Sequence, residues 1–226
     1  MAQFTKTQVI QMVKDTGIVP VFFHQEKETA RQILKACYDG GVRVAEFTNR
    51  GDFAWEIFTD LRKYALREMP EMALGVGTVV DAPTAAIYMQ SGADFVVSPI
   101  LDEETARICN RRKVPWVPGC GSVTEIARAH EHGADLVKVF PGSQVGGPGF
   151  VKAVRGPMPW TDIIPTGGVA PTEENLREWF SAGVIGVGMG SKMIRKEWVD
   201  KRQFDAIRNQ AAEAIQIVQK IRQSNL

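Results

Sequence analysis

The chain has 226 residues, a length that fits one large domain better than two small ones. It is 44% hydrophobic and 23% charged, which is ordinary for a globular protein with a sizeable core. Its 27 basic and 26 acidic side chains nearly cancel, so no net field favours a nucleic acid or an anionic membrane. We therefore expect a small-molecule partner.

The N-terminal segment, residues 1–17, predicts a short amphipathic helix. Its apolar residues Phe4, Val9, Ile10 and Val13 are separated by polar ones, unlike the continuous apolar core of a signal peptide. No run in the chain approaches the ~18 apolar residues of a membrane span. The three cysteines are far apart and odd in number, which fits neither a disulfide framework nor a zinc site. We therefore expect a cytoplasmic protein.

Strand-like and helical segments alternate along the chain. The apolar runs of strand type are 18–23, 42–48, 73–79, 94–97, 114–117, 135–140, 162–165 and 184–188. The segments between them show helical periodicity and end at glycines that directly precede a strand, at Gly41, Gly92, Gly133 and Gly183. Two helix starts have capping residues, Ser122 with Glu125 and Thr172 with two following glutamates. No linker interrupts the pattern, so we predict a single domain over residues 1–226.

Repeated βα units form either an open doubly wound sheet or a closed eight-stranded barrel. Polar and glycine-rich segments directly follow the strands, at 48–50, 77–78, 98–99, 118–119, 166–168 and 188–191. A barrel collects these segments at one mouth, whereas an open sheet separates the first from the last. We therefore predict the α/β class, with a single (β/α)8 TIM barrel and an additional N-terminal helix.

Lys138 lies in the middle of an apolar strand and is the first candidate for chemistry. Strand alternation puts it on one face with Leu136 and Phe140, while Val137 and Val139 make the other face equally apolar. Lysine is rarely buried without a partner. Burial disfavours the ammonium form and leaves an amine able to attack a carbonyl and form a Schiff base. Pairing with an acid for structure alone is the other interpretation.

Glu46 shares a strand face with Val44 and Thr48, where a carboxylate is costly unless it is paired or protonated. In a barrel it would meet Lys138 and move protons to and from the carbinolamine, imine and enamine. A static ion pair is the alternative. Arg50 follows, and its planar guanidinium suits a carboxylate or phosphate unless it is simply solvated.

Glycine turns follow the seventh and eighth predicted strands, at Gly167–Gly168 and at 188–191. Their backbone N–H groups can approach an anion closely, and barrels often bind phosphate at this place. Lys192 adds charge there or begins a surface helix. The three histidines form no metal-binding cluster in the sequence, and we predict no metal. Cys120 is interpreted as a small loop residue rather than a nucleophile.

Five segments in this order resemble the class I aldolases that cleave 2-keto-3-deoxy-6-phosphogluconate (KDPG) and 4-hydroxy-2-oxoglutarate (KHG). They are 46–50, with the family's glutamate, threonine and arginine; 75–78, its glycine–threonine strand end; 138–141, its Schiff-base segment; and the glycine segments 165–168 and 188–191. The resemblance implies Lys138 as the imine-forming nucleophile and Glu46 as the general acid/base. The substrate-binding residues that it implies are Arg50, Thr78, Pro99, Thr166, Gly167, Gly168, Gly190 and Ser191.

The same resemblance implies a barrel enzyme without a cofactor, and usually a homotrimer. KDPG is cleaved reversibly to pyruvate and glyceraldehyde 3-phosphate, and KHG to pyruvate and glyoxylate, so a keto acid and a phosphorylated aldehyde are the expected ligands. Three departures lie around the predicted pocket: Ile100 replaces a common glycine, Gly142 a usual alanine, and Lys192 a commoner apolar residue. They concern the substrate more than the reaction.

Two other functions remain open on these residues. Lys138 would be a simple positive charge in a phosphate-binding isomerase or epimerase that forms no imine. Alternatively, the barrel would bind a phosphosugar or keto acid without turnover. Trapping an imine with borohydride separates the first of these from an aldolase, and an activity assay separates the second.

Overall fold

The computed structural model describes residues 2–224, in which helices and strands alternate. The strands are β1 (Ile18–Phe22), β2 (Val44–Thr48), β3 (Ala73–Gly77), β4 (Val96–Val97), β5 (Trp116–Val117), β6 (Gly119–Cys120), β7 (Leu136–Val139), β8 (Asp162–Pro165) and β9 (Val187–Met189). The helices are α1 (Lys6–Thr16), α2 (Lys27–Asp39), α3 (Ala54–Glu68), α4 (Ala82–Gln90), α5 (Glu103–Arg112), α6 (Val123–Glu131), α7 (Gly147–Arg155), α8 (Glu173–Ser181), α9 (Lys196–Asp200) and α10 (Phe204–Ser224).

The strands form a curled parallel sheet of the α/β class. Six strands are hydrogen-bonded in the order β5-β4-β3-β2-β1-β9, and three in the order β6-β7-β8. Each of the eight predicted runs overlaps a strand. A parallel bridge between Thr166 and Gly188 links the ends of β8 and β9. The predicted N-terminal helix is α1; Met1 lies outside the described residues, as do residues 225 and 226 of the predicted domain.

The fifth predicted strand differs from expectation at Pro118. The sequence suggested that residues 118–119 follow the strand as a loop, but Gly119 and Cys120 form β6 and pair with Lys138 and Val139 of β7. Pro118 has no N–H to donate and so interrupts the ladder between β5 and β6. Its carbonyl still accepts a hydrogen bond from the Lys138 N–H at 2.8 Å. Cys120 is therefore a buried strand residue, and its interpretation as a loop residue is wrong.

Apolar side chains fill both sides of the sheet, as parallel strands covered by helices require. A small cluster lies on the inner side, near the first residues of the strands, and includes Val19, Val44 and Leu136. Val9 and Val13 of α1 belong to the same cluster. Helix α1 thus packs across the amino-terminal ends of the strands, and the carboxyl ends form the opposite mouth.

The predicted helix ends are confirmed at the glycines. Gly41, Gly92, Gly133 and Gly183 have φ values of 98°, 91°, 83° and 96°, the left-handed conformation in which glycine avoids the cost of a side chain. The predicted caps are confirmed in part. Thr172 caps α8 through the Asn175 N–H, and the Ser122 hydroxyl accepts from the Glu125 N–H, but the Glu125 carboxylate accepts from Gly121 rather than closing a full capping box.

A buried ion pair fixes the N-terminal segment to the sheet. Arg62 Nη1 lies 3.0 Å from Asp94 Oδ2, and their side chains are 2% and 0% exposed. The Asp94 carboxylate also accepts from the backbone N–H groups of Gln3 and Leu74, at 2.6 and 3.0 Å. Burial raises the pKa of the Asp94 carboxyl, although the Arg62 charge opposes that rise.

None of the helices formed by residues 2–224 combines the length and apolarity that crossing a membrane requires.

Candidate active site

Lys138 and Glu46 meet in the interior enclosed by the sheet. Lys138 Nζ lies 3.7 Å from Glu46 Oε1, and the two side chains are only 7% and 3% exposed. Lys138 points to the side of β7 that carries Leu136, and Glu46 to the side of β2 that carries Val44, because alternate residues of a strand share a face. A buried amine and a buried carboxylate thus lie within reach of one small molecule.

The Lys138–Glu46 contact differs from the Arg62–Asp94 pair in its hydrogen bonding. Asp94 accepts several short hydrogen bonds and has the arrangement of a structural ion pair. At 3.7 Å, Lys138 and Glu46 are too far apart for a good hydrogen bond, and neither side-chain head donates or accepts one within residues 2–224. A pair that served only structure would be expected to close this gap to hydrogen-bond distance, as Arg62 Nη2 does with Asp94 Oδ1 at 3.1 Å.

A cavity of about 850 Å³ opens at the carboxyl ends of the strands. Its wall includes six of the predicted site residues: Arg50, Thr166, Gly167, Gly168, Gly190 and Ser191. Lys138 and Glu46 are not on this wall but lie next to it. Phe140, which is on the wall, has its ring centre 5.2 Å from Lys138 Nζ, and Thr48, also on the wall, follows Glu46 on the same strand face.

Arg50 is exposed on the cavity wall, two residues beyond the end of β2. Within residues 2–224 no carboxylate forms an ion pair with its guanidinium. An unpaired guanidinium in a concave site suits a bidentate contact with a carboxylate or phosphate. The site can therefore receive an anionic group on the side of Glu46.

The two glycine turns form another part of the wall. Gly167 and Gly168 have φ values of 96° and 78°, conformations that favour glycine. The backbone N–H groups of Gly168, Ser191 and Lys192 reach no acceptor within the described chain. The Thr166 hydroxyl is buried and likewise lacks a partner there. This cluster of free donors has the chemistry of an anion site.

The structure does not bring Thr78 and Pro99 onto the cavity wall. Thr78 directly follows β3 with φ of 61°, an unusual conformation for a β-branched residue. Such strain is often stored at functional sites. The Pro99 backbone packs against Gly119, whose register partner is Lys138, so Pro99 supports the strand next to the lysine.

Several residues near the mouth were not among the predicted site residues. His24, Lys196 and Asp200 line the cavity, and Lys196 pairs with Asp200 at 2.6 Å. The Tyr88 hydroxyl donates to Asn49 Oδ1 at 2.8 Å, and the Asn49 N–H donates to the Gly77 carbonyl at 2.8 Å. Lys196 and Asp200 are four residues apart, a spacing that predicts an ion pair within a helix. Nothing in the local sequence predicts that this pair, or the Tyr88–Asn49 hydrogen bond, lies beside the site.

Cys120 and the histidines of α6 take no part in this site. Cys120 is buried, and burial raises the pKa of its thiol to about 12. His130 lies in α6 and His132 ends it, at the amino-terminal side of β7. Within residues 2–224, no three His, Cys, Asp or Glu residues cluster in a way that would hold a metal ion.

The family model and the curated relatives point to one family. The family model for KDPG and KHG aldolases matches residues 9–210. A 2-dehydro-3-deoxy-phosphogluconate aldolase of Haemophilus influenzae is 30% identical over 215 residues, 95% of this chain and 99% of that protein. The KHG/KDPG aldolase of Escherichia coli K12 is also 30% identical, over 93% of this chain and 96% of its own length.

Solved structures agree with these sequence comparisons. A KDPG aldolase from Legionella pneumophila, with pyruvate captured at low pH as a covalent carbinolamine intermediate, superposes with a TM-score of 0.83. The two chains are 26% identical, and the match covers 92% of this chain and 98% of the other.

Proposed function

The chain belongs to the KDPG and KHG aldolase family, and on that premise we propose that it is a class I aldolase acting on KDPG. It cleaves KDPG reversibly to pyruvate and glyceraldehyde 3-phosphate, and KHG to pyruvate and glyoxylate as a second reaction. The observation that carries the proposal is the contact of Lys138 with Glu46, buried beside a cavity with anion-binding groups.

In the proposed reaction, the Lys138 amine adds to the keto carbon of the substrate to give a carbinolamine, which loses water to form an imine. The protonated imine withdraws electrons, so the C3–C4 bond breaks as the C4 hydroxyl loses its proton, leaving an enamine and a free aldehyde. Glu46 is the base that takes this proton and the acid that protonates the enamine. Water then hydrolyses the pyruvyl imine and restores the amine.

The substrate's two ends are assigned to different parts of the site. Arg50 and Thr78 bind the pyruvyl carboxylate, and Pro99 borders this end through its packing beside Lys138. The distal phosphate binds to the turns that contain Gly167, Gly168 and Ser191. The unsatisfied N–H groups of these turns support this orientation, and Thr166 and Gly190 complete the same wall.

We further propose that the strands close into a single (β/α)8 barrel spanning residues 1–226. The Thr166–Gly188 bridge and the Pro118 carbonyl bond to Lys138 support closure at the two sheet edges.

A homotrimer rests on the family resemblance. It is supported by exposed apolar side chains around the starts of α3, α4, α5 and α6, namely Phe53, Trp55, Val80, Ile100 and Val123. Sedimentation as a monomer at micromolar concentration would remove the trimer.

A cytoplasmic location is part of the same proposal. It is supported by Cys37, Cys109 and Cys120, which are free thiols rather than disulfides.

Trapping with sodium borohydride tests the mechanism. With pyruvate present, reduction should add the mass of a pyruvyl group to the peptide that contains Lys138. Lys138→Arg keeps the charge but cannot form the imine, so it should trap nothing and lose turnover. Lys192→Arg changes a lysine on the cavity wall in the same way and should still trap pyruvate. Activity should persist with EDTA, because the protonated imine supplies the electron sink.

The result also distinguishes the other two functions. No adduct on wild-type Lys138 would contradict the aldolase mechanism and favour an isomerase or epimerase. An adduct without release of pyruvate from any keto acid would favour a binding protein.

A further inference from the structure

We propose that Gly77 is a positioning residue for the aldol cleavage: the space left by its missing side chain holds the Glu46 carboxylate towards Lys138. The inference rests on the proposed function and adds to it a residue that acts through Glu46 rather than on the substrate. Gly77 ends β3, the strand next to β2, and its backbone is extended.

The Glu46 carboxylate occupies the position that a side chain at residue 77 would need. A Cβ added to Gly77 would lie 1.7 Å from Glu46 Oε1 and 2.4 Å from Glu46 Cδ. Carbon and oxygen atoms that are not bonded stay more than 3 Å apart, so the two groups cannot coexist without movement. Glu46 and residue 77 are therefore coupled through space.

The carboxylate reaches Gly77 by leaning along the strand. In the ladder, Glu46 pairs with Gly75 and Thr48 pairs with Gly77. The Glu46 side chain therefore leans along the strand towards its carboxyl end, so that its carboxylate lies beside residue 77 and not beside its own register partner. This inclination carries it from the sheet towards the mouth and to within 3.7 Å of Lys138 Nζ.

The backbone of Gly77 does not itself demand glycine. The left-handed glycines of the chain include Gly167 and Gly168, but Gly77 is not among them, and it lies within a regular strand. A β-strand position accepts alanine without backbone strain. The requirement for glycine at residue 77 comes from the neighbouring carboxylate, and so from the site.

Gly75 on the same strand provides the matched control. A Cβ at Gly75 would meet the Phe95 ring at 2.4 Å, and its three nearest atoms all belong to that ring rather than to the Glu46 carboxylate. Both glycines lie in β3, and both fill a tight space on the inner side. Alanine at either position should therefore cost stability, but only alanine at residue 77 should disturb proton transfer.

The experiment measures kcat, KM and the pH dependence of kcat for four variants: Gly77→Ala, Glu46→Asp, the double variant and Gly75→Ala. Displacing a catalytic group by about 1 Å can cost 10²-fold, so Gly77→Ala should lower kcat by roughly that factor with little change in KM. It should also alter the pH profile. Gly75→Ala should keep the wild-type profile.

The double variant tests the spatial coupling directly. Aspartate is one methylene shorter than glutamate and retracts the carboxylate from the space that alanine fills. The double variant should therefore be at least as active as Gly77→Ala, and the two single losses should not multiply. Multiplying losses, or an unchanged kcat and pH profile in Gly77→Ala, would overturn the inference.

Folding and trapping measurements distinguish a folding defect of Gly77→Ala from a failure of the inference, and a failure of the inference from a failure of the proposed function. If Gly77→Ala does not fold, the effect of alanine at residue 77 is measured in the absence of the carboxylate. The thermal stability of Glu46→Ala is then compared with that of the Glu46→Ala, Gly77→Ala double variant. Without the carboxylate, alanine at residue 77 should cost little stability. Failure of the Glu46→Ala, Gly77→Ala double variant to fold would contradict the proposal. If wild-type Lys138 traps pyruvate while Gly77→Ala behaves normally, only this inference fails and the proposed function stands.

Discussion

Lys138 Nζ and Glu46 Oε1 face each other at 3.7 Å from strands that are not neighbours in the sheet. Strand β2 pairs with β1 and β3, whereas β7 pairs with β6 and β8. The contact therefore crosses the enclosed interior, and it depends on the curvature of the whole sheet. A substrate carbon bound to the lysine has the carboxylate within reach for proton transfer.

Replacing Glu46 with glutamine should lower kcat about 10²–10⁴-fold, with a smaller change in KM. The amide fills the same space but cannot take or return a proton. Steady-state assays of pyruvate release measure the effect, and Glu71→Gln at the exposed end of a surface pair serves as the control. Near-normal turnover of Glu46→Gln would reduce this residue to a structural partner of Lys138.

Replacing Ser191 with alanine should weaken only the reaction of phosphorylated substrates. A hydrogen bond to a charged group contributes about 1.5–3 kcal/mol, which corresponds to a loss of roughly tenfold to a hundredfold in kcat/KM for KDPG. Cleavage of KHG has no phosphate and should barely change, so it provides the internal control. Equal losses for both substrates, or a wild-type preference for KHG, would show that the phosphate assignment is wrong.

Replacing Tyr88 with phenylalanine should raise KM for keto-acid substrates about twofold to tenfold, with kcat less affected. The hydroxyl fixes Asn49, which precedes Arg50 and bonds to the carbonyl of Gly77, and a neutral hydrogen bond contributes about 0.5–1.5 kcal/mol. Tyr38→Phe removes a hydroxyl near surface residue Glu71 and should leave KM unchanged. A similar KM for all three proteins would mean that the Tyr88 bond stabilises the fold without orienting Arg50.

Thiol reagents should leave the native enzyme unmodified at pH 8. Burial raises the pKa values of Cys37, Cys109 and Cys120 to about 12, so the thiolate is roughly one part in ten thousand at that pH. Because these values lie above the ordinary one, reactivity should rise only as the pH approaches them. Intact-mass measurement after iodoacetamide checks this, with denatured protein as the positive control. A rapid adduct on native Cys120 would contradict its inert, buried character.

The sequence predicts the repeating architecture well because each signal for it is local. Alternation within a strand depends on a period of two residues, and it correctly assigns Lys138 and Leu136 to one inner face. A glycine at a helix end, such as Gly133, is likewise a local requirement of left-handed backbone. The catalytic role of Lys138 stays a prediction.

Contacts between distant segments could not be predicted in the same way. The hydrogen bond from Tyr88 to Asn49 joins residues 39 positions apart, and neither residue has a distinctive local pattern. The interruption between β5 and β6 at Pro118 depends on which carbonyl and N–H groups of the neighbouring strands remain available after the strands pair. The fit of Glu46 against Gly77 depends on a side-chain inclination, which the alternation of strand residues does not specify.

The packing of α1 across the amino-terminal strand ends has a kinetic consequence. Val9 and Val13 fill that end, while the cavity opens at the opposite one. In the proposed reaction the pyruvyl group is attached at Lys138 below the cavity wall, and the phosphate lies nearer the rim at Ser191. Binding and release are then ordered: the aldehyde departs before pyruvate during cleavage, and pyruvate must enter before the aldehyde during synthesis.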